Sequence, residues 1–444
     1  SVVFVFRPES YFDADQAIVG LMAKHLSELR AFPVFLYGQT YMLGVEAWLA
    51  APLFALAGVS ATALKMPLLG MNAAIAALLV RAFERDMGLR PALAATAALP
   101  FVLPAPGLAS AFLDASGGTI EPLLYVLLLW VTRDRPLLCG VVFGVGFLNR
   151  EFTIYGLAAL AGVAALDRNL FTRAGAMRFG RVVGVGVAIW LLVQALKHLS
   201  SASGPGTSVA DTFTASNNLV ELAGRVCVSP ASAVAGAERL MSIHWPAILG
   251  TEPMPLARFA IESYVWQGLP WSSGLPAVLV LLSIAGIALA AVPRPPRPTR
   301  ARFGQYLVLA GIFSAAGYVL GRCGEVNILS LRYDLLSVLG IVGLGGWFLA
   351  AGAPAVLRAA WALVLAAWMA IAAVPHVRLM AEYATDPPVA PKLEVIRALD
   401  AHGIRYGTAD YWLAYYIDFM TNERIVLAST APQRILMYNA IVAE

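Results

Sequence analysis

The chain has 444 residues, 59% of them hydrophobic and 13% charged, with a mean hydropathy of +0.73. Soluble domains carry about 25% charged residues, so this chain has about half the charge needed to cover an ordinary water-facing surface. That excludes a soluble globular enzyme, a disordered protein and a disulfide-built secreted module, and it leaves a polytopic membrane protein. The net charge of +4 gives no sign of a nucleic-acid partner. The basic residues are almost all Arg, and where they sit matters more than their sum.

In chain order, 1–6 is apolar but too short to cross a bilayer, and it is expected to be the outer end of an upstream first span. Residues 16–30 have helical spacing, with Ile18, Val19, Met22 and Leu26 on one side. The stretch 39–58 is long enough to span, yet counting it would invert every later loop. It is therefore expected to be a helix lying at the outer interface. Candidate spans follow at 62–83, 91–111, 119–132, 136–148, 152–166, 182–199, 275–292, 303–320, 334–351 and 355–374. After them, 392–402 reads as a helix ended by Gly403, and 404–408 and 424–428 read as strands.

Arg in short loops sets the sidedness. One set of loops carries Arg81, Arg85 and Arg90, then Arg133 and Arg135, then Arg168 to Arg181, then Arg294 to Arg302, then Arg358. The alternate loops carry none at 112–118, Arg150 alone, and Arg322 with Arg332. The first set is expected inside. The outer face then holds 7–61, 200–274 and 375–444. The expected fold is an all-α polytopic helix bundle at 1–374, with interfacial helices on its outer face and a small α/β unit at 375–444. The Arg- and Ala-rich usage fits a GC-rich bacterial genome, so a multi-pass inner-membrane protein is expected.

The span interiors hold almost no ionisable residues, whereas an ion-coupled transporter needs charges near the midplane. Here Lys65, Glu121 and Asp334 sit near outer span ends. That points to a site at the lipid–water boundary, open to a lipid substrate. The sharpest feature is Tyr11-Phe12-Asp13-Ala14-Asp15-Gln16. Two carboxylates beside an apolar face can act as bases; equally, either one can simply cap the following helix.

The run from Phe12 to His25, then Phe32-Pro33, then Tyr37-Gly38-Gln39-Thr40-Tyr41-Met42-Leu43-Gly44-Val45-Glu46-Ala47, resembles the first outer loop of GT-C glycosyltransferases. The nearest are the family 39-like enzymes, related to protein O-mannosyltransferases and the lipid A aminoarabinose transferase. The resemblance runs well from Tyr11 to about Arg85, and more weakly through the span pattern, Arg332-Tyr333 and 403–429. It implies a GT-C-type bundle and an inverting transfer of a sugar from a polyprenyl-phosphate carrier to a hydroxyl acceptor on the periplasmic face, with an Asp of the first outer loop as catalytic carboxylate. Where the family often has Asp-Glu, this chain has Asp15-Gln16, so the second acid is an amide and Asp13 is the candidate to replace it.

On that resemblance Asp15 is the expected base and Asp13 a supporting acid. The leaving phosphate needs cationic donors, and Lys65, Arg150 and Arg332 are the candidates. Arg150 can instead pair with Glu151, and Arg332, next to Tyr333 at the head of a span, can instead snorkel to the interface. Gln39, Tyr41 and Glu46 lie on the interfacial segment, where Tyr41 and Glu46, five apart, can share a broad helix face; the three are expected to line the sugar pocket, or instead to be the water-facing side of an amphipathic helix, and Lys24 and His25 lie on the neighbouring helix. Asp410, Tyr411, Trp412, Tyr415 and Tyr416 form an aromatic cluster suited to sugar stacking, core packing or an interface belt, and His244-Trp245, Tyr264, Trp266 and Trp271 carry the same ambiguity. No metal or cofactor is expected, although Asp13 with Asp15 could hold a divalent cation. Cys227 and Cys323 are both expected outside, where they could pair. The alternative reading is a lipid-linked glycan flippase or another transporter. The sugar and the acceptor are not named by the sequence.

Overall fold

The computed structural model describes residues 2–200, 229–250, 274–291, 298–321 and 328–444. Cys227, Cys323, Tyr264, Trp266 and Trp271 lie outside the described residues, as does the side chain of Tyr41. The apolar composition resolves into helix along most of the chain: α1 Val2–Phe6, α2 Ala14–Ser27, α3 Val45–Ala57, α4 Ala61–Met87, α5 Pro91–Val102, α6 Pro106–Phe112, α7 Glu121–Thr132, α8 Pro136–Asn149, α9 Thr153–Leu166, α10 Arg173–Ser200, α11 Pro230–Arg239, α12 Trp245–Leu249, α13 Gly274–Ala291, α14 Pro298–Gly321, α15 Val338–Ala351 and α16 Ala355–Thr385. Among the described residues five helices are long and apolar enough to cross a membrane: α4, α10, α13, α14 and α16. The bent pair α5–α6 makes a sixth. The ten expected segments fall largely on helices, but those at 119–132, 136–148, 152–166 and 334–351 lie on apolar helices of 10–17 residues, shorter than a full span; the protein is a helical polytopic membrane protein.

Local chemistry explains the punctuation. Ser60 caps α4 by accepting from the Ala63 N–H at 3.1 Å, and Gly88, at φ +69°, ends it. The expected straight span at 91–111 is instead broken by an 87° bend between α5 and α6. Pro104 and Pro106 sit at that break, and each removes a backbone donor. Pro375, by contrast, lies inside α16 without ending it, so the boundary expected at 375 falls within a helix that continues to Thr385.

The stretch 39–58, expected as one interfacial helix, is two elements. Strand β2 Gln39–Leu43 pairs antiparallel with β1 Phe35–Leu36 around a two-residue turn in which Gly38 takes φ +67°. Only from Val45 does the chain become helical. Gln39 and Tyr41 therefore lie on a strand and Glu46 in the first turn of α3, which corrects the shared helix face.

In the bundle, α14 and α15 approach closely because glycines face each other: a Cβ on Gly311 would lie 2.8 Å from the Gly340 Cα. Tyr306 is fully buried and donates to the Val126 carbonyl at 2.6 Å, tying α14 to α7. The C-terminal unit comprises α17 Pro391–Ala401, β3 Tyr406–Ala409, α18 Tyr411–Met420, β4 Val426–Ser429 and α19 Met437–Ala443. Its strands are parallel, paired from Tyr406–Val426 to Ala409–Ser429. It is thus the small α/β unit the sequence pattern implied. It docks on α2 through Phe419, whose ring stacks on Phe12 with centroids 5.2 Å apart. A Cβ on Gly20 would lie 2.4 Å from that ring, so the glycine lets α18 lie close to α2.

Candidate active site

Asp13, Asp15, Asp114, Lys65 and Arg332 are brought together where the N-terminal segment meets the end of the bundle. Asp13 is the N-cap of α2 and accepts from the Gln16 N–H at 3.0 Å. Asp15 stands in the first turn, where the partly positive helix end favours a carboxylate. Its Oδ2 accepts from Arg332 Nη1 at 3.2 Å, and its Oδ1 accepts from the Tyr411 hydroxyl at 2.5 Å. The cap role and the site role are therefore divided between the two acids.

A third carboxylate joins them. Asp114 lies in the loop 113–120 between α6 and α7, and its Oδ1 has no hydrogen-bond partner among the described residues. Burial, with the charges of Asp114 and Asp15 beside it, pushes the Asp13 carboxyl up to about 7. Burial also raises Asp114, against the pull of Arg332 and Lys65. Lys65 is buried in the first turns of α4, and its charged neighbours are Asp114, Asp13 and Glu46. Three acids thus face two cations, the mutual compensation that buried charge requires.

The loop 113–120 is clamped from two sides. The buried Glu46 carboxylate accepts from the backbone N–H groups of Gly117 at 2.9 Å and Gly118 at 3.0 Å. Arg150 Nε donates to the Gly117 carbonyl at 3.0 Å. Gly117 and Gly118 both have positive φ, +87° and +74°, so the backbone can turn its amides toward Glu46. Glu46 therefore shapes the loop that carries Asp114. The Gln16 amide adds to the clamp: its Oε1 accepts from Ala115 N at 3.4 Å, and its Nε2 donates to the Tyr11 carbonyl at 2.9 Å. The position where the family pattern often has a second acid here ties α2 to the loop.

Arg150 and Arg332 approach one aromatic ring. Their guanidinium carbons lie 6.0 Å and 5.2 Å from the centre of the Tyr333 ring. The short turn Ile328–Tyr333 that carries Arg332 is anchored beneath by Ser330, whose hydroxyl contacts His244 Nε2 at 3.1 Å and the Tyr318 hydroxyl at 2.8 Å. His244 Nδ1 in turn lies 3.7 Å from Asp334 Oδ2, both side chains fully buried. His244, read from the sequence as interface material, thus supports the turn that presents Arg332.

Of the expected site residues, the structure brings together Asp13, Asp15, Lys65, Arg332, Tyr333 and Arg150, with Glu46 beneath the loop. Lys24 and His25 are engaged elsewhere: Lys24 pairs with Glu423, and His25 Nε2 lies 2.9 Å from the same carboxylate. Gln39 lies by Arg434, whose Nη1 donates to the Gly38 carbonyl at 2.8 Å; with the amide turned so that its oxygen faces the guanidinium, Gln39 accepts from Nη2 at 3.1 Å. Asp114 was missed from the sequence, although a lone acid before Ser-Gly-Gly between two apolar runs was a usable signal. Tyr411 was seen only as one member of an aromatic cluster. Among the described residues no group of three or more His, Cys, Asp or Glu side chains is arranged to hold a metal.

No protein-family model matches the chain, and no curated protein matches it. Similar solved structures include crystal structures of ArnT from Cupriavidus metallidurans, one in the apo state and one bound to undecaprenyl phosphate. Each is 12% identical, and the match covers 96% of this chain and 83% of that one, with TM-scores of 0.41 and 0.39.

Proposed function

We propose that the protein is an integral-membrane inverting glycosyltransferase that moves a sugar from a polyprenyl-phosphate carrier to a hydroxyl acceptor, on the periplasmic face of a bacterial inner membrane. The observation that carries this reading is the meeting of Asp15 with Arg332 beside Asp13, Asp114 and Lys65, where the first outer loop meets the outer end of the helix bundle. The resemblance of 11–47 to the first outer loop of GT-C enzymes points the same way.

The chemistry assigns a role to each group. The acceptor oxygen attacks the anomeric carbon from the face opposite the phosphate. As that C–O bond forms, the acceptor proton passes to Asp15 and the anomeric C–O bond to phosphate breaks, its electron pair leaving on the carrier phosphate. Asp15 also steadies the positive charge that develops on the sugar. Arg150 and Arg332, which both approach the Tyr333 ring, receive the phosphate anion, and Lys65 offsets the charge of the neighbouring acids. Asp13 holds a proton for part of the time near neutral pH, so it adds less repulsion toward the phosphate than a fixed anion would.

The test is Asp15→Asn, which preserves the side-chain shape and one of the two acceptors, turns the other into an amide donor, and removes the base. Transfer from polyprenyl-phosphate-linked sugars in detergent should fall by about three orders of magnitude or more, with unchanged expression and thermal stability. Transfer at the wild-type rate would remove Asp15 from the base role.

A further inference from the structure

The C-terminal unit grips α2 at two points, and the pairing has a consequence for the site. At the start of α2, Tyr411 donates its hydroxyl to Asp15 Oδ1 at 2.5 Å. Tyr411 is the first residue of α18, whose N-cap Asp410 accepts from Trp412 N at 2.9 Å. Its ring is set edge-on against Tyr415, with centroids 5.3 Å apart, and against Trp412 at 5.2 Å. The Arg434 guanidinium lies 5.9 Å from the same ring. The direction of the phenol is therefore fixed by the C-terminal unit and not by α2.

At the other end of α2, about 15 Å away along the helix, four donors converge on the carboxylate of Glu423. Lys24 pairs with it closely; His25 Nε2 and the Tyr438 hydroxyl each lie at 2.9 Å from Oε1, and Arg30 Nη1 at 2.7 Å from Oε2. Burial opposes its charge, yet the hydrogen bonds from His25, Lys24 and Arg30 hold it well below the usual carboxylate range. Asn422 and Glu423 both adopt left-handed backbone, at φ +55° and +60°. Asparagine tolerates that conformation, but for Glu423 it is strained and persists only where contacts enforce it. The turn thus holds Glu423 in a disfavoured backbone conformation while its carboxylate meets all four donors.

We propose that the C-terminal unit is a working part of the Asp15 site: Tyr411 is a positioning residue that fixes the Asp15 carboxylate, and the Glu423 clasp holds α18 where that phenol reaches. This rests on the glycosyltransferase reading. Arg332 alone grips one carboxylate oxygen and leaves rotation about the side-chain torsions; Tyr411 on the second oxygen removes that freedom. The clasp, at the far end of the same rigid helix, sets the distance between α2 and α18. Lys24 and His25, expected as substrate contacts, act in this scheme through Glu423 and Tyr411.

The test uses the full chain in detergent micelles, with a mixture of polyprenyl-phosphate-linked hexoses and pentoses as donor. Tyr411→Phe should lower kcat about tenfold, the loss expected for one hydrogen bond to a charged group, while leaving the KM for the carrier unchanged. Glu423→Gln should lower kcat in the same direction and have no further effect in the Tyr411→Phe background. A merely structural clasp would give additive losses, and additivity overturns the proposal. Turnover by Tyr411→Phe at or above the wild-type rate also overturns it; a faster variant would mean the phenol stands where an acceptor hydroxyl binds. Hydrogen exchange, measured without donor, reads the linkage directly: Glu423→Gln should speed exchange in 9–16 as well as 411–416. If the wild type transfers no sugar, the glycosyltransferase reading fails, and exchange alone then decides; unchanged exchange in 9–16 overturns the link between clasp and site.

Discussion

Asp13 makes the acid cluster measurable without any substrate. Its ordinary pKa is 3.8, and in the folded protein burial and the charges of Asp114 and Asp15 raise it to about 7. Below pH 3.8 the group is protonated in both the folded and the unfolded chain and has no effect on stability. Between 3.8 and 7 the unfolded chain releases the proton and the folded chain keeps it, so each step up in pH favours unfolding; above 7 the penalty is constant. A shift of about 3 units corresponds to about 4 kcal/mol at most. Asp13 is only half-buried, and water screening reduces that to about 1–2 kcal/mol. Asp13→Asn keeps the cap to Gln16, since Asn serves equally well at an N-cap, and removes the titration. Thermal unfolding in detergent, followed by Trp fluorescence, should show variant and wild type melting together near pH 4 and the variant melting about 1–2 °C higher at pH 8. The comparison is between the two proteins at each pH, because Asp418, which burial pushes up to about 8, titrates in the same window in both. A gap that does not change with pH, or a variant less stable at pH 8, would refute the clustering of Asp13 with Asp114 and Asp15.

Gly118→Ala tests the loop that carries Asp114. At φ +74° the new Cβ would lie 2.2 Å from the Arg150 Cγ, so Arg150 must leave the Gly117 carbonyl, and the left-handed backbone itself costs about 1–2 kcal/mol. The KM for the carrier should rise several-fold with kcat largely kept; an unchanged KM would separate Arg150 from the phosphate. Gly343→Ala tests the bundle independently of the site. Its Cβ would lie 2.5 Å from the Leu307 Cβ and 2.8 Å from the Gly304 carbonyl oxygen across the α14–α15 contact. Thermal unfolding should report a loss of about 1–3 kcal/mol, and full stability would place the helices further apart than the structure does.

Hydropathy and Arg placement made the bundle readable, because a bilayer leaves a backbone almost no choice but helix. Where the reading slipped, a local signal was overruled by length. The run Gln39–Leu43 follows the turn residue Gly38 and contains Thr40 and Tyr41, residue types that favour strands, but the apolar residues of α3 that follow make the whole look like one helix. The span expected to end at 374 runs on through Pro375 to Thr385, because hydropathy marks where the apolar run stops and not where the helix does. Asp15, Arg332 and Lys65 were legible as single residues because charge at a span end stands out against 13% charged composition.

What a sequence cannot display is convergence from distant segments. Asp15 and Tyr411 are 396 positions apart, and His25 and Glu423 are 398 apart. Neither partner carries a local pattern that names the other. Lys24 and His25 share a helix with Asp15, and adjacency in sequence suggested adjacency in role; yet 3.6 residues per turn over ten residues carries them to the opposite end of α2, where Glu423 waits. The same separation allows one short helix to do two things. Its first turn presents a carboxylate to the site, its last turn receives the C-terminal unit, and the rigidity between them makes the position of Tyr411 answerable to a contact that never touches the substrate.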